Sequence, residues 1–169
     1  MLPDYLETAS RQLERVKLLV HQVGLKYIEL PAGPFAVGVA VAFGETDYDV
    51  LSVGAGGNEN QLAITCGVLR DIDQDRQAAL DACNSKTRDC PAYPFYLHDA
   101  SAGWDINVQQ LFPVDLLTGE PQFFYNSVRN LPIVTERARE EFATDQSFGG
   151  TPYRLNDEDL TRLLIRSSM

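Results

Sequence analysis

Residues 35–43 read Phe-Ala-Val-Gly-Val-Ala-Val-Ala-Phe, an alternation of large and small apolar side chains without a single error. Strand side chains have period two, so Phe35, Val37, Val39, Val41 and Phe43 share one face and Ala36, Gly38, Ala40 and Ala42 the other. Nine residues of this period predict a strand. The small face is smooth and uncharged and needs a cover, for which a packed helix and a bound partner chain are the two alternatives.

Working outward, the period changes in a definite order. Upstream, Leu6, Ala9, Leu13, Val16, Val20 and Val23 recur at spacings of three and four, which predicts an amphipathic helix over 2–23. Pro3 suits its first turn and Gly24 its C-terminal cap. His21 is expected at the edge of the apolar stripe. Downstream, Asp49–Val53 and Leu62–Leu69 read as two more strands separated by the glycine-rich 54–60. Asp75–Arg88 reads as a helix with a thin apolar face of Ala78, Ala79, Ala82 and Cys83. A two-strand unit follows at Phe95–His98 and Trp104–Leu111, with 98–103 as its loop. Pro121–Thr144 is a long helical stretch that Pro132 should kink or split. Residues 146–153, rich in Gly, Ser and Pro, read as a linker, and Asn156–Ser167 as a short capped helix with Leu160, Leu163 and Leu164 on its apolar side.

The expected fold is therefore α+β: one domain over 1–145, ordered helix, three strands, helix, two strands, helix, with helices packed on an antiparallel sheet. Residues 146–169 form the linker and helical tail. A helix as short as the last is marginal alone, so Leu160, Leu163 and Leu164 are expected to dock it or to mediate dimerisation.

Composition bounds the function. The 169 residues carry a formal net charge of −10, which repels phosphate backbones and anionic membranes. Nucleic-acid and membrane binding are accordingly not expected, whereas basic or polar polypeptides are suitable partners. No stretch has the apolar length of a membrane span, and residues 1–5 lack the pattern of a signal peptide. Three cysteines without a Cys-x-x-Cys pair suit reduced thiols in a cytoplasmic protein.

The motifs that would announce catalysis are incomplete. Asp71-x-Asp73-x-Asp75 begins like a calcium loop, but Arg76 stands where glycine is needed and Ala82 where the closing glutamate belongs. Gly54-Ala55-Gly56-Gly57 lacks the Gly-Lys-Ser/Thr of a phosphate loop. His98, Asp99 and Ser101 are triad residue types, but they are crowded into one hairpin. No catalytic residue, metal or cofactor is expected. By contrast, Phe123, Phe124 and Tyr125 are three successive aromatics on a helix, and they cannot all face one core. At least one is expected at the surface or against a partner, and Phe123, Phe124 and Tyr125 together are the expected partner-contact residues.

One local run adds a resemblance. Ala79-Leu80-Asp81-Ala82-Cys83-Asn84, followed by an extended segment, a hairpin and a strand, resembles the YbjN-like family of small bacterial proteins, which shares the fold of the type III secretion chaperones. The resemblance spans Leu6 to Phe142. A second asparagine often stands three residues beyond the first in that family, and here the position is Thr87. The resemblance implies a non-enzymatic, usually homodimeric module: a chaperone-like protein holding an unfolded polypeptide segment, or a YbjN-type regulator. The alternatives are a regulator that senses a small molecule in a pocket between sheet and helix, and a structural subunit of a larger bacterial assembly.

Overall fold

The computed structural model describes residues 2–29, 36–43, 47–55, 60–144, 147–156 and 158–162. The elements follow in the order α1 (Leu2–Gln22), β1 (Ile28–Glu29), β2 (Ala36–Phe43), β3 (Asp47–Ala55), β4 (Gln61–Ile72), α2 (Arg76–Asp89), β5 (Phe95–Ala100), β6 (Gly103–Pro113), α3 (Val114–Gly119), α4 (Pro121–Thr144), β7 (Thr151–Pro152) and β8 (Leu155–Asn156). The α+β plan expected from the periods is the observed one, with the short β1, α3, β7 and β8 added. Its contacts form two compact units. The chain enters and leaves each more than once, because β4, β6 and α4 all begin in one unit and end in the other.

The first unit takes Met1–Ile64, Leu111–Arg129 and Leu155–Met169. β2 pairs antiparallel with β1 and with β3, in the register Val37↔Val53 and Val39↔Leu51, and β8 pairs with the start of β3. Val37, Val39, Leu51 and Val53 are all buried, as the alternation requires. On the small face Gly38 is buried and Ala36 and Ala40 are half-buried. α1 packs against β2 and β3. Its buried residues are Ala9, Gln12, Val16, Leu19 and Val20, so the inward stripe is rotated towards Gln12 and Leu19. That rotation leaves Leu13 and Val23 half-buried and turns His21 out to solvent, which corrects its expected place at the core edge.

The second unit takes Thr65–Gln110 and Asn130–Arg154. Here β4 neighbours β6, β6 pairs antiparallel with β5, and β7 pairs with β4. β5 and β6 run closer to the turn than expected, since Ala100 pairs with Gly103 and leaves only Ser101 and Ala102 between them. His98 and Asp99 are thus strand residues rather than loop residues. Gly103 is required there: its φ is 139°, and a Cβ would fall 2.3 Å from the Ile72 carbonyl oxygen. Asp75 caps α2, its carboxylate accepting from Ala78 N at 3.0 Å, and Ala79 and Cys83 bury the thin face of that helix.

Two expectations about the last third of the chain are corrected. α4 is one helix from Pro121 to Thr144 with Pro132 inside it, so Pro132 does not split the stretch in two. Proline removes one i→i−4 bond but has the backbone φ a helix needs, and Leu131, Pro132 and Thr135 are all buried, so packing holds the helix together across the missing bond.

Residues 147–156 are not a linker. Phe148 is fully buried and meets Phe142 edge to face at 6.1 Å, and Phe142 meets Phe95 in the same way at 6.2 Å. Leu69 and Arg70 of β4 pair with Pro152 and Thr151, and Tyr153 N donates to Val68 O at 3.0 Å. The Tyr153 ring lies directly over Gly67, where a Cβ would sit 2.7 Å from its Cγ. The Arg139 guanidinium secures the segment. It is 2% exposed, and its Nη2 donates to Gly67 O at 2.7 Å and also to Tyr153 O. Its Nη1 meets Glu136 at 3.2 Å, and Arg154 pairs with the same carboxylate.

Two outcomes follow from this arrangement. Arg139→Met removes the buried guanidinium that bonds two part-buried carbonyls and should lower the unfolding free energy by about 3 kcal/mol in a urea titration. Truncation after Gln146 removes Phe148 and β7, so the shortened chain should bind a hydrophobic dye and lose its cooperative melt, where a dispensable tail would leave both unchanged.

Candidate functional site

The three successive aromatics separate as a turn of 100° per residue dictates. Phe124 is fully buried in the core of the first unit, which corrects its expected role in partner contact. Phe123 is 40% exposed. Tyr125 is half-buried, with the Arg129 guanidinium 5.9 Å from its ring centroid. Phe123 is held from beneath: the Phe112 ring meets it edge to face at 5.4 Å and is itself 9% exposed.

Two more apolar side chains are exposed in the preceding residues of the first unit. At the end of β6, Phe112 takes the inward position, so period two sends its neighbour Leu111 outward, 44% exposed. Val114 then opens α3, with its N–H on Asn60 O at 2.8 Å and its side chain buried, while Leu116 is 39% exposed. The backbone between them is tightly turned, since Glu120 N donates to Leu116 O and Phe123 N to Glu120 O. Asp115 and Glu120 are exposed among these residues. This stretch of the first unit therefore exposes three apolar side chains, of which Phe123 is braced, with exposed carboxylates at Asp115 and Glu120 between them in sequence.

The second unit contributes an open strand edge. Gln109 N donates to Pro94 O, so Phe95 and Val108 form a non-hydrogen-bonded pair, and the backbone groups of Phe95, Leu97 and Asp99 point away from β6. β5 is the last strand in the pairing order. Thr87 satisfies the first of these residues: Phe95 N donates to Thr87 Oγ1 at 2.8 Å, and Thr87 Oγ1 donates to Phe95 O at 3.2 Å. The backbone groups of Leu97 and Asp99 face outward, with no partner among the described residues.

The remaining expected positions are dispersed. Leu160 is half-buried in a helical turn over residues 158–162, which Asn156 caps through Asp159 N at 2.9 Å; Leu163 and Leu164 lie outside the described residues. His98 is exposed and stands across from Asp105 in register. Asp71 does not converge with Asp75: its N–H bonds Asp105, and Asp75 serves as a helix cap. Among the described residues no group of three His, Cys, Asp or Glu side chains could hold a metal, and no helix is long and apolar enough to cross a membrane. All three cysteines are free, Cys66 and Cys83 buried and Cys90 half-buried.

No family model matches the sequence, and no curated protein matches it. The fold does have a solved counterpart. The crystal structure of YbjN from E. coli, a proposed transcription regulator, superposes with a TM-score of 0.57 over 80% of this chain and 94% of that one. Sequence identity is 10%, so the likeness is one of fold. The fold is YbjN-like.

Burial sets the alkaline behaviour. Desolvation pushes the Cys83 thiol from 9.0 up to about 11, and it also raises the Tyr96 phenol against the opposing hydrogen bonds to Thr65 and Asn107. Both groups hold their protons longer folded than unfolded. For Cys83 this stability is present below pH 9 and is lost between pH 9 and about 11, as the unfolded thiol ionises first; Tyr96 acts in the same direction above its ordinary value of 10.0. The melting temperature should drop across that window, and less steeply in Cys83→Ala. At pH 8 a disulfide reagent should modify Cys90 in the folded protein and reach Cys66 and Cys83 only on denaturation.

Proposed function

We propose that this chain is a non-enzymatic polypeptide-binding protein of the chaperone or adaptor type, acting in the cytoplasm as a homodimer. One observation carries the proposal: Leu111, Leu116 and Phe123 stand exposed within thirteen residues of sequence, with Phe123 braced by the Phe112 ring. An aromatic already fixed in place loses little conformational freedom on binding, which is the property of an interface anchor. Asp115 and Glu120 beside it, and the net charge of −10, favour a partner segment that alternates apolar residues with lysine or arginine. The open β5 edge supplies a second means of holding extended chain, by main-chain hydrogen bonds to Leu97 and Asp99.

The proposal is tested by selecting binders from a displayed library of random peptides. The selected sequences should be rich in aliphatic, aromatic and basic residues. Phe123→Ala should weaken them by roughly tenfold or more, the loss of one anchor, without changing the melting temperature. Acidic consensus sequences, or peptides indifferent to Phe123→Ala, would contradict it. Light scattering on the full chain should give twice the monomer mass.

A further inference from the structure

β5 ends the pairing order, with its outer side unpaired. Its register with β6 runs from Phe95↔Val108 to Ala100↔Gly103 without a bulge. Phe-Tyr-Leu-His-Asp-Ala also holds no Pro and no Lys, two usual guards of an exposed edge. The free row of backbone groups is short and has defined ends. Thr87 Oγ1 holds the N–H and the C=O of Phe95 at one end, and the turn at Ser101 and Ala102 stops the strand at the other. Between them stand the outward N–H and C=O of Leu97 and of Asp99, with no partner among the described residues.

Such a row is complementary to itself in one register. A twofold axis sets two of these edges antiparallel. With Leu97 opposite the partner's Asp99, every one of these N–H groups meets a C=O and none is left over. Centring the pair on Leu97 would instead set Asp99 against the partner's Phe95, whose groups Thr87 already holds. Centring it on Asp99 would put two carboxylates directly opposite each other, which is destabilising. In the remaining register the axis passes between His98 and the partner's His98, a non-hydrogen-bonded pair. Tyr96 lies opposite the partner's Ala100 on the same face, a large residue against a small one. A second copy also brings a strand already held extended by β6, so it loses little freedom on pairing. A flexible peptide would have to be ordered for the same few bonds.

We propose that this edge pairs with the β5 edge of a second copy, His98 meeting the partner's His98 on the twofold axis. The inference rests on the homodimer part of the reading above and names its surface. It uses none of Leu111, Leu116 and Phe123, which belong to the first unit. A partner polypeptide at the β5 edge would take the place of the second copy.

Disulfide trapping reads the register. Opposed residues of a non-hydrogen-bonded pair have Cα atoms about 4.5 Å apart, within reach of a disulfide. The two copies of Leu97, or of Asp99, would stand diagonally, beyond the limit of roughly 7 Å. A Cys90→Ser chain keeps only the buried Cys66 and Cys83 as background thiols. In that chain His98→Cys should give a covalent dimer as the main product of mild oxidation, and Leu97→Cys or Asp99→Cys roughly tenfold less. Asp99→Pro removes an outward N–H that β6 does not use, so it should lower the light-scattering mass to that of the monomer with the melting temperature unchanged. If Asp99→Pro fails to fold, the trapping pattern decides alone. Preferential trapping through Leu97→Cys or Asp99→Cys, a dimer mass without trapping at His98→Cys, or a folded Asp99→Pro chain that stays dimeric would overturn this interface and leave the homodimer reading standing. A monomer mass for the unsubstituted chain would overturn both.

Discussion

The constraint on which the second unit depends is one buried guanidinium. Arg139 is almost wholly removed from water, and a buried charge is tolerated only when hydrogen bonds and a counter-charge are supplied locally. Gly67 O and Tyr153 O take two of its N–H groups and Glu136 provides the negative charge, which Arg154 shares. Three stretches distant in sequence, β4, α4 and the segment around Tyr153, therefore have to be in place together. The geometry also explains Gly67, because the Tyr153 ring occupies the volume a side chain would need. Phe148 adds an apolar anchor to the same segment, meeting Phe142 edge to face.

The exposed apolar residues of the first unit arise differently. They emerge where one strand ends and two helices begin in quick succession. At such junctions strand and helix periods meet, and some apolar residues are forced outward.

Much of this was legible in the sequence. Period two within 36–43 (Phe35 lies outside the described residues) and at Leu62–Leu69, and the helical spacing from Pro121 to Thr144, located elements correctly, because each element buries one face. The outward aromatic among Phe123, Phe124 and Tyr125 was legible as a necessity of helix geometry, though which one faced out depended on the core beneath. Leu111 and Leu116 were not found. The signal lay in the adjacent pair Leu111-Phe112, since two neighbouring strand residues cannot both face inward. The segment after Gln146 was misjudged because glycine, serine and proline suggest a linker. Phe148, a large apolar residue alone among them, marked it as buried. The burial of Arg139 had no local signature, because on its helix it resembles its exposed neighbours Arg137 and Glu140, and only the carbonyls of Gly67 and Tyr153 distinguish it.

Amide hydrogen exchange at Tyr153 is the most direct measurement of whether the closing segment belongs to the fold. Its N–H donates to Val68 O beside the Arg139 contacts. The structure requires that this amide exchange as slowly as those of β4, through the same cooperative opening. Exchange at the rate of an unstructured peptide, with β4 still protected, would contradict the account.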